Sequence, residues 1–138
     1  MIGGINIPFE KGEDGHSDGD VLLHAITDAI LGASGLGDIG EMFPPSDEKW
    51  KGADSKNLLK QAFLLVKNQG WNIENLDCVL QLEKPKFLPF RKQIIESIAD
   101  ILEIMPEQVF VKAKTGEKLG DIGNGNAISA EAVCLLSK

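Results

Sequence analysis

The 138 residues suit a single domain large enough to bury a core, and a hydrophobic share of 43% with 25% charged residues is ordinary for a globular chain. A net charge of −7, with Arg91 the only arginine among fourteen basic residues, excludes a nucleic-acid partner that needs a basic face. No apolar run reaches the length of a membrane span, and Cys78 and Cys134 lie far apart within apolar segments, as buried thiols of a reducing compartment do.

In chain order, residues 2–9 alternate weakly and predict a strand, followed by a polar loop to Gly15. Ser17 and Asp20, three apart before an apolar run, read as a capping box. A helix is predicted over 18–33, with Val21, Leu22, Ala25, Ala29 and Ile30 as its buried stripe. Glycines 32, 35, 37 and 40 then break regularity, and the prolines of Phe43-Pro44-Pro45-Ser46-Asp47 force a loop. Asp54 or Ser55 is expected to cap a second helix with Leu58, Leu59, Ala62, Leu65 and Val66 inward and Gly70 at C′. From Trp71 the period becomes two, with Leu76, Cys78, Leu80 and Leu82 on one face of a strand. The turn Lys84-Pro85-Lys86-Phe87-Leu88-Pro89 ends it; a third helix over 90–102 and strands over 109–113 and 127–136 complete an α/β sandwich, one mixed sheet covered on one face by about three helices.

Four segments carry chemistry. His16-Ser17-Asp18-Gly19-Asp20-Val21-Leu22-Leu23-His24 holds both histidines, and the spacing puts Asp20 and His24 on one helix face. An imidazole one turn from a carboxylate suits a metal, and a helix N-terminus suits phosphate; a solvated or capping pair is the plainer alternative. Gly37-Asp38-Ile39-Gly40 offers either close backbone approach to a ligand or a turn whose Asp38 caps a short helix. Lys84-Pro85-Lys86 sits past a strand end, where two ammonium groups could meet phosphate or a base edge; a solvated lysine turn is the alternative. Lys114-Thr115-Gly116-Glu117 also follows a strand and joins a hydroxyl, an acid and a glycine, as a diphosphate with a divalent cation requires. The charges are uneven: eleven acids and three lysines between Glu10 and Asp54, seven basic residues and five acids between Lys84 and Lys118.

Taken together, H-S-D-G-D-x-x-x-H, D-A-I-L-G-A, G-D-I-G, F-P-x-x-D, the K-P-K-x-x-P turn and T-x-E-x-L-G before G-x-G-x-A-I-x-A-x-A-V closely resemble the 2-C-methyl-D-erythritol 2,4-cyclodiphosphate synthases, in that family's order and over nearly the whole chain. The resemblance implies a single synthase-like domain over 1–138 and a cyclising, CMP-releasing phosphorus–oxygen lyase of isoprenoid biosynthesis. It implies 4-diphosphocytidyl-2-C-methyl-D-erythritol 2-phosphate as substrate and a homotrimer with sheets around the threefold axis. The active sites would be shared between neighbouring subunits, and the location would be the bacterial cytoplasm or, after loss of a transit peptide, the plastid stroma.

By the same resemblance His24 is a zinc ligand, His16 and Thr115 stabilise the transition state, and Glu117 holds Mg²⁺ or Mn²⁺. Asp38, Ile39, Gly40, Phe43, Pro44 and Asp47 form the pocket for the methylerythritol portion. Leu82, Lys84, Pro85, Lys86, Phe87 and Leu88 take the cytidine side together with Thr115 and Glu117, while His16 and Ser17 also line the substrate. Members of the family open with a strand bearing an Asp-x-His pair, the other two zinc ligands. This sequence starts at Met1-Ile2-Gly3-Gly4, past that point, so zinc binding by His24 alone is expected to be weak. Pro45, Lys114, Asp121 and Asn124 also depart from the pattern, and a non-catalytic trimer that binds a phosphate ligand is the alternative reading.

Overall fold

The structure is a computed structural model that describes residues 1–10 and 18–138. Its elements are α1 (Val21–Ser34), α2 (Ile39–Met42), α3 (Ser55–Asn68), β1 (Asn72–Gln81), α4 (Arg91–Leu102), β2 (Val109–Lys114), α5 (Gly120–Gly123) and β3 (Ser129–Ser137), with 3₁₀ turns at Glu48–Trp50, Leu88–Phe90 and Pro106–Gln108. The sheet has the order β2-β1-β3, and β1 runs parallel to β2 and antiparallel to β3. It is therefore mixed, as the alternation and the helical crossover between β1 and β2 require.

Side chains alternate across these strands. Leu76, Cys78 and Leu80 of β1, Val109 and Val111 of β2, and Ala130, Ala132 and Cys134 of β3 share the covered face. Helix α1 packs on β3, α4 packs on β2, and α3 rests chiefly on α1 and α4, so two helices touch the sheet and the third lies on the helices. The opposite face carries Phe110, Val133 and Leu135, respectively 49%, 66% and 59% exposed, together with an Asp77–Lys112 ion pair of 2.6 Å. The alternation slips once, at a bulge between Ile73 and Asn75, which keeps both Ile73 and Leu76 buried.

The expected strand over residues 2–9 is absent. Gly3 and Gly4 adopt φ of +58° and +77°, and Ile2 and Ile5 close a tight turn through an isolated antiparallel bridge. That turn is held from sixteen residues away: the fully buried Asp20 carboxylate accepts from Gly3 N at 2.9 Å and Gly4 N at 2.7 Å. Asp20 also accepts from Leu23 N at 3.0 Å and is the N-cap of α1. The helix thus begins at Val21 rather than Asp18, and Asp20 caps it directly instead of serving as the third helical residue of a Ser17 box; Ser17 itself lies outside the described residues.

The stripe of α1 differs likewise. Leu22, Leu23, Ile26, Thr27, Ile30 and Leu31 are buried, whereas Val21, Ala25 and Ala29 are only half-buried. On α3, Phe63 faces the core and Leu65 is exposed. Elsewhere the predicted ends hold within two residues: Asp54 caps α3 through Lys56 N, and Gly70, with φ of +88°, takes C′. Helix α5 was not expected, because two of its four residues are glycine.

Candidate functional site

Two candidate turns follow the carboxyl ends of the parallel strands β1 and β2, where ligands of α/β sheets gather. They are fastened to each other. Leu82 N donates to Lys114 O at 2.9 Å, and Gly116 N donates to the Glu83 carboxylate at 3.0 Å. Beyond Glu83, Lys84 meets Pro85 through a cis peptide, Phe87 is buried, and Leu88 is 69% exposed.

In the second turn the Thr115 hydroxyl accepts from Glu117 N at 3.3 Å, and both residues are solvent-exposed or nearly so. Glu117 and Lys118 have φ of +52° and +62°. Left-handed backbone at two consecutive non-glycine residues costs of order 1–3 kcal/mol each, so the surrounding contacts must over-determine it. They do: a Cβ on Gly116 would lie 2.5 Å from Gly123 N, and one on Gly123 would lie 2.4 Å from the Lys118 carbonyl carbon. The backbone of this turn is pressed against α5, which is what its glycines permit.

A second group surrounds His24. Its Nε2 lies 2.9 Å from the hydroxyl of Ser55, the first residue of α3 and only 1% exposed. The Asp18 carboxylate accepts from Ser55 N at 3.0 Å, from Ser55 Oγ at 2.5 Å and from Asp20 N at 3.1 Å. Burial pushes the Asp18 carboxyl up, but these donors outweigh it and hold the group below its ordinary value. Asp20, one turn before His24, is consumed by capping and by the Gly3–Gly4 turn, so it is not a ligand-facing partner of the ring.

A third group follows α1. Asp38 is the N-cap of α2, accepting from Glu41 N at 2.8 Å, while Asp28 of α1 accepts from Ile39 N at 2.8 Å and ties this loop down. Phe43 is buried edge-to-face against Trp50, with ring centroids 4.8 Å apart, and Asp47 caps the 3₁₀ turn that contains Trp50. Pro44 and Gly40 complete the same loop.

The contacts thus sort the predicted residues into three groups: Leu82 to Leu88 with Thr115 and Glu117, His24 by itself with new partners, and Asp38 to Asp47. His16 and Ser17 lie outside the described residues. The sequence reading missed Glu83, which joins the two turns, and Ser55 as a partner of His24. Asp18 stands 37 positions from Ser55, and only the Asp-Ser pair opening α3 hinted at a polar group there.

Among the described residues no group of three His, Cys, Asp or Glu side chains could hold a metal ion. His24 alone does not make a tetrahedral zinc site. Glu117, exposed at the tip of its turn, does suit Mg²⁺ or Mn²⁺, which commonly takes one or two carboxylates and fills the rest of its shell with substrate phosphates and water.

Fastened turns beyond the carboxyl ends of two parallel strands, with the Thr115 hydroxyl and the Glu117 carboxylate exposed on the second, give this α/β chain a candidate ligand site at that end of its sheet. The profile described as the YgbB family matches residues 1–137, and the chain belongs to that family. A 2-C-methyl-D-erythritol 2,4-cyclodiphosphate synthase of Treponema denticola is 61% identical over 136 residues, 99% of this chain and 84% of the relative. The bifunctional IspDF from Campylobacter jejuni superimposes with a TM-score of 0.94 at 42% identity, over 99% of this chain and 37% of that one. A CDP-bound form of 2C-methyl-D-erythritol-2,4-cyclodiphosphate synthase superimposes with a TM-score of 0.91 at 37% identity, over 99% of this chain and 89% of that one.

Proposed function

We infer that the chain converts 4-diphosphocytidyl-2-C-methyl-D-erythritol 2-phosphate to 2-C-methyl-D-erythritol 2,4-cyclodiphosphate and CMP. The observation that carries this is a match over essentially the whole chain: relatives named for the synthase are 49–61% identical across at least 99% of it. In this reaction an oxygen of the 2-phosphate attacks the β-phosphorus of the diphosphate, the new P–O–P bond closes the ring, and the bond to the CMP phosphate breaks. Such a transfer asks the protein for alignment and for donors toward developing charge.

Thr115 is the donor we assign among the described residues: its hydroxyl sits on a turn packed closely against α5. His16 is proposed for the same task. A cytidine nucleotide ligand is supported by the CDP-bound neighbour, and Leu82, Lys84, Pro85, Lys86, Phe87 and Leu88 are the residues proposed to enclose the cytidine. Asp38, Ile39, Gly40, Phe43, Pro44 and Asp47, with Ser17, would take the methylerythritol portion. Glu117 would hold Mg²⁺ or Mn²⁺, and a bound ion would neutralise charge on the diphosphate. His24 is proposed as a zinc ligand; since the described residues supply no full ligand set, no step is derived through zinc.

A homotrimer is part of this reading. Half of the sheet is bare, with Phe110, Val133 and Leu135 exposed on one surface, and threefold packing would bury three such faces together. The function is tested by incubating the chain with the substrate and Mg²⁺ and following CMP by chromatography. Release of CMP that falls in Thr115→Ala is expected; no CMP release by the parent chain overturns the assignment.

A further inference from the structure

Arg91 is the only arginine of the chain and the first residue of α4, at the positive end of that helix, whose first turn holds no acid. Among the described residues no carboxylate pairs with it, and its Nε is buried without a hydrogen-bond partner. A cation at a helix start and an unmet buried donor both cost stability, and an apolar side chain of the same length would avoid both. The charge at this position needs another reason.

Its surroundings supply one. The guanidinium carbon lies 5.7 Å from the centroid of the Phe87 ring and 5.4 Å from that of Phe110. Both distances fall where a cation is attracted by the negative face of an aromatic ring. Phe87 belongs to the core, whereas Phe110 stands on the bare face of β2, an edge strand of the sheet. The guanidinium thus spans the free edge of β2 and joins a ring of the core to a ring of the outer face. Phe87 also opens the 3₁₀ turn that leads into α4: its carbonyl accepts from Phe90 N at 2.9 Å, and the Leu88 carbonyl accepts from Arg91 N. No side chain caps this turn or α4 by a hydrogen bond, so the ring contacts are what fasten its start. We propose that Arg91 is a positioning residue, a charged wedge between Phe87 and Phe110 that holds the Lys84–Leu88 turn in the form a cytidine nucleotide meets. A turn ordered in advance raises affinity, because binding no longer carries the cost of ordering it. Arg91 is assigned no contact with the ligand, and its effect falls on binding rather than on phosphoryl transfer, whose assigned donor Thr115 lies on the other turn. The nucleotide role rests on the function proposed above; the wedge does not.

Two variants of the full chain separate charge from bulk: Arg91→Met keeps the length without the cation, and Arg91→Lys keeps the cation. Amide hydrogen exchange by NMR reads the wedge, and calorimetry with CDP reads the nucleotide role. In Arg91→Met, exchange of Phe90 N–H should speed about tenfold and CDP should bind about tenfold more weakly. Leu82 N–H, bonded to Lys114 O, should keep the parent's exchange rate. Arg91→Lys should lie between the two chains in both readings. With the substrate, Arg91→Met should raise KM and leave kcat within about twofold of the parent. Unchanged exchange at Phe90, or equally faster exchange at Leu82, overturns the wedge. Faster exchange at Phe90 with CDP affinity unchanged, or a loss in kcat alone, overturns the positioning role. A parent chain that binds no CDP overturns the function proposed above and the nucleotide role with it, while the exchange rates still decide the wedge.

Discussion

Replacing Asp20 with alanine tests how the first turn and the first helix are joined. One carboxylate, fully buried, receives Gly3 N, Gly4 N and Leu23 N at 2.7–3.0 Å. The Leu23 bond is a helix cap, worth about 0.5–2 kcal/mol by itself. Gly3 and Gly4 are buried, and each N–H left without an acceptor costs about 1–3 kcal/mol. Water reaching the loosened turn recovers part of this, so about 3–5 kcal/mol is expected for Asp20→Ala, at the upper end of single substitutions. For a chain of this size that is a fall in Tm of ~10–20 °C. Asp20→Asn keeps one acceptor oxygen but turns an NH₂ toward a donor, and should lose about half as much. Urea unfolding followed by circular dichroism gives the difference, with the exposed cap Asp38→Ala as a comparison that should cost about 1 kcal/mol or less. A loss below about 1 kcal/mol for Asp20→Ala would refute the claim that this carboxylate holds the N-terminal turn.

Thr115→Ala should reduce turnover by about 10²–10³-fold with substrate affinity nearly intact, and equal turnover would remove the donor role. Glu117→Gln should raise the Mg²⁺ or Mn²⁺ concentration needed for half-maximal activity, read by metal titration; an unchanged requirement places the ion elsewhere. Light scattering of the parent should give three times 14.9 kDa, and Val133→Asp on the bare sheet face should give the single-chain mass; a monomeric parent contradicts the trimer. Burial pushes the Cys78 thiol up to about 12 and the Cys134 thiol up as well, so at pH 8 neither carries much thiolate, and native protein should resist maleimide until unfolded. Rapid labelling of native Cys78 would contradict its burial.

Much of the fold is legible where local chemistry decides it. Asp54 and Gly70 bracket α3, and strict alternation marks β1 from Leu76 onward, because caps and pleats act within a few residues. The errors fall where distant groups decide. Residues 2–5 alternate like a strand, but two glycines at positive φ and a carboxylate sixteen residues away make them a turn. Leu65 has the right period and still faces solvent, since α3 rests on other helices rather than on the sheet.

The candidate site divides the same way. Its turns stand out as motifs, since lysine, proline, threonine and glycine clusters after strands are local signals. What fastens them is not local: Glu83 reaches Gly116 across the sheet, and Ser55 meets His24 only once α1 and α3 have packed. No period or spacing in the sequence encodes either contact.

The most direct test of the proposed activity is the fate of the phosphorus atoms. With 4-diphosphocytidyl-2-C-methyl-D-erythritol 2-phosphate, the chain and Mg²⁺, ³¹P NMR should show two mutually coupled resonances of a cyclic diphosphate appearing in step with CMP. Unchanged substrate, or CMP formed alongside uncoupled monophosphates, would contradict it.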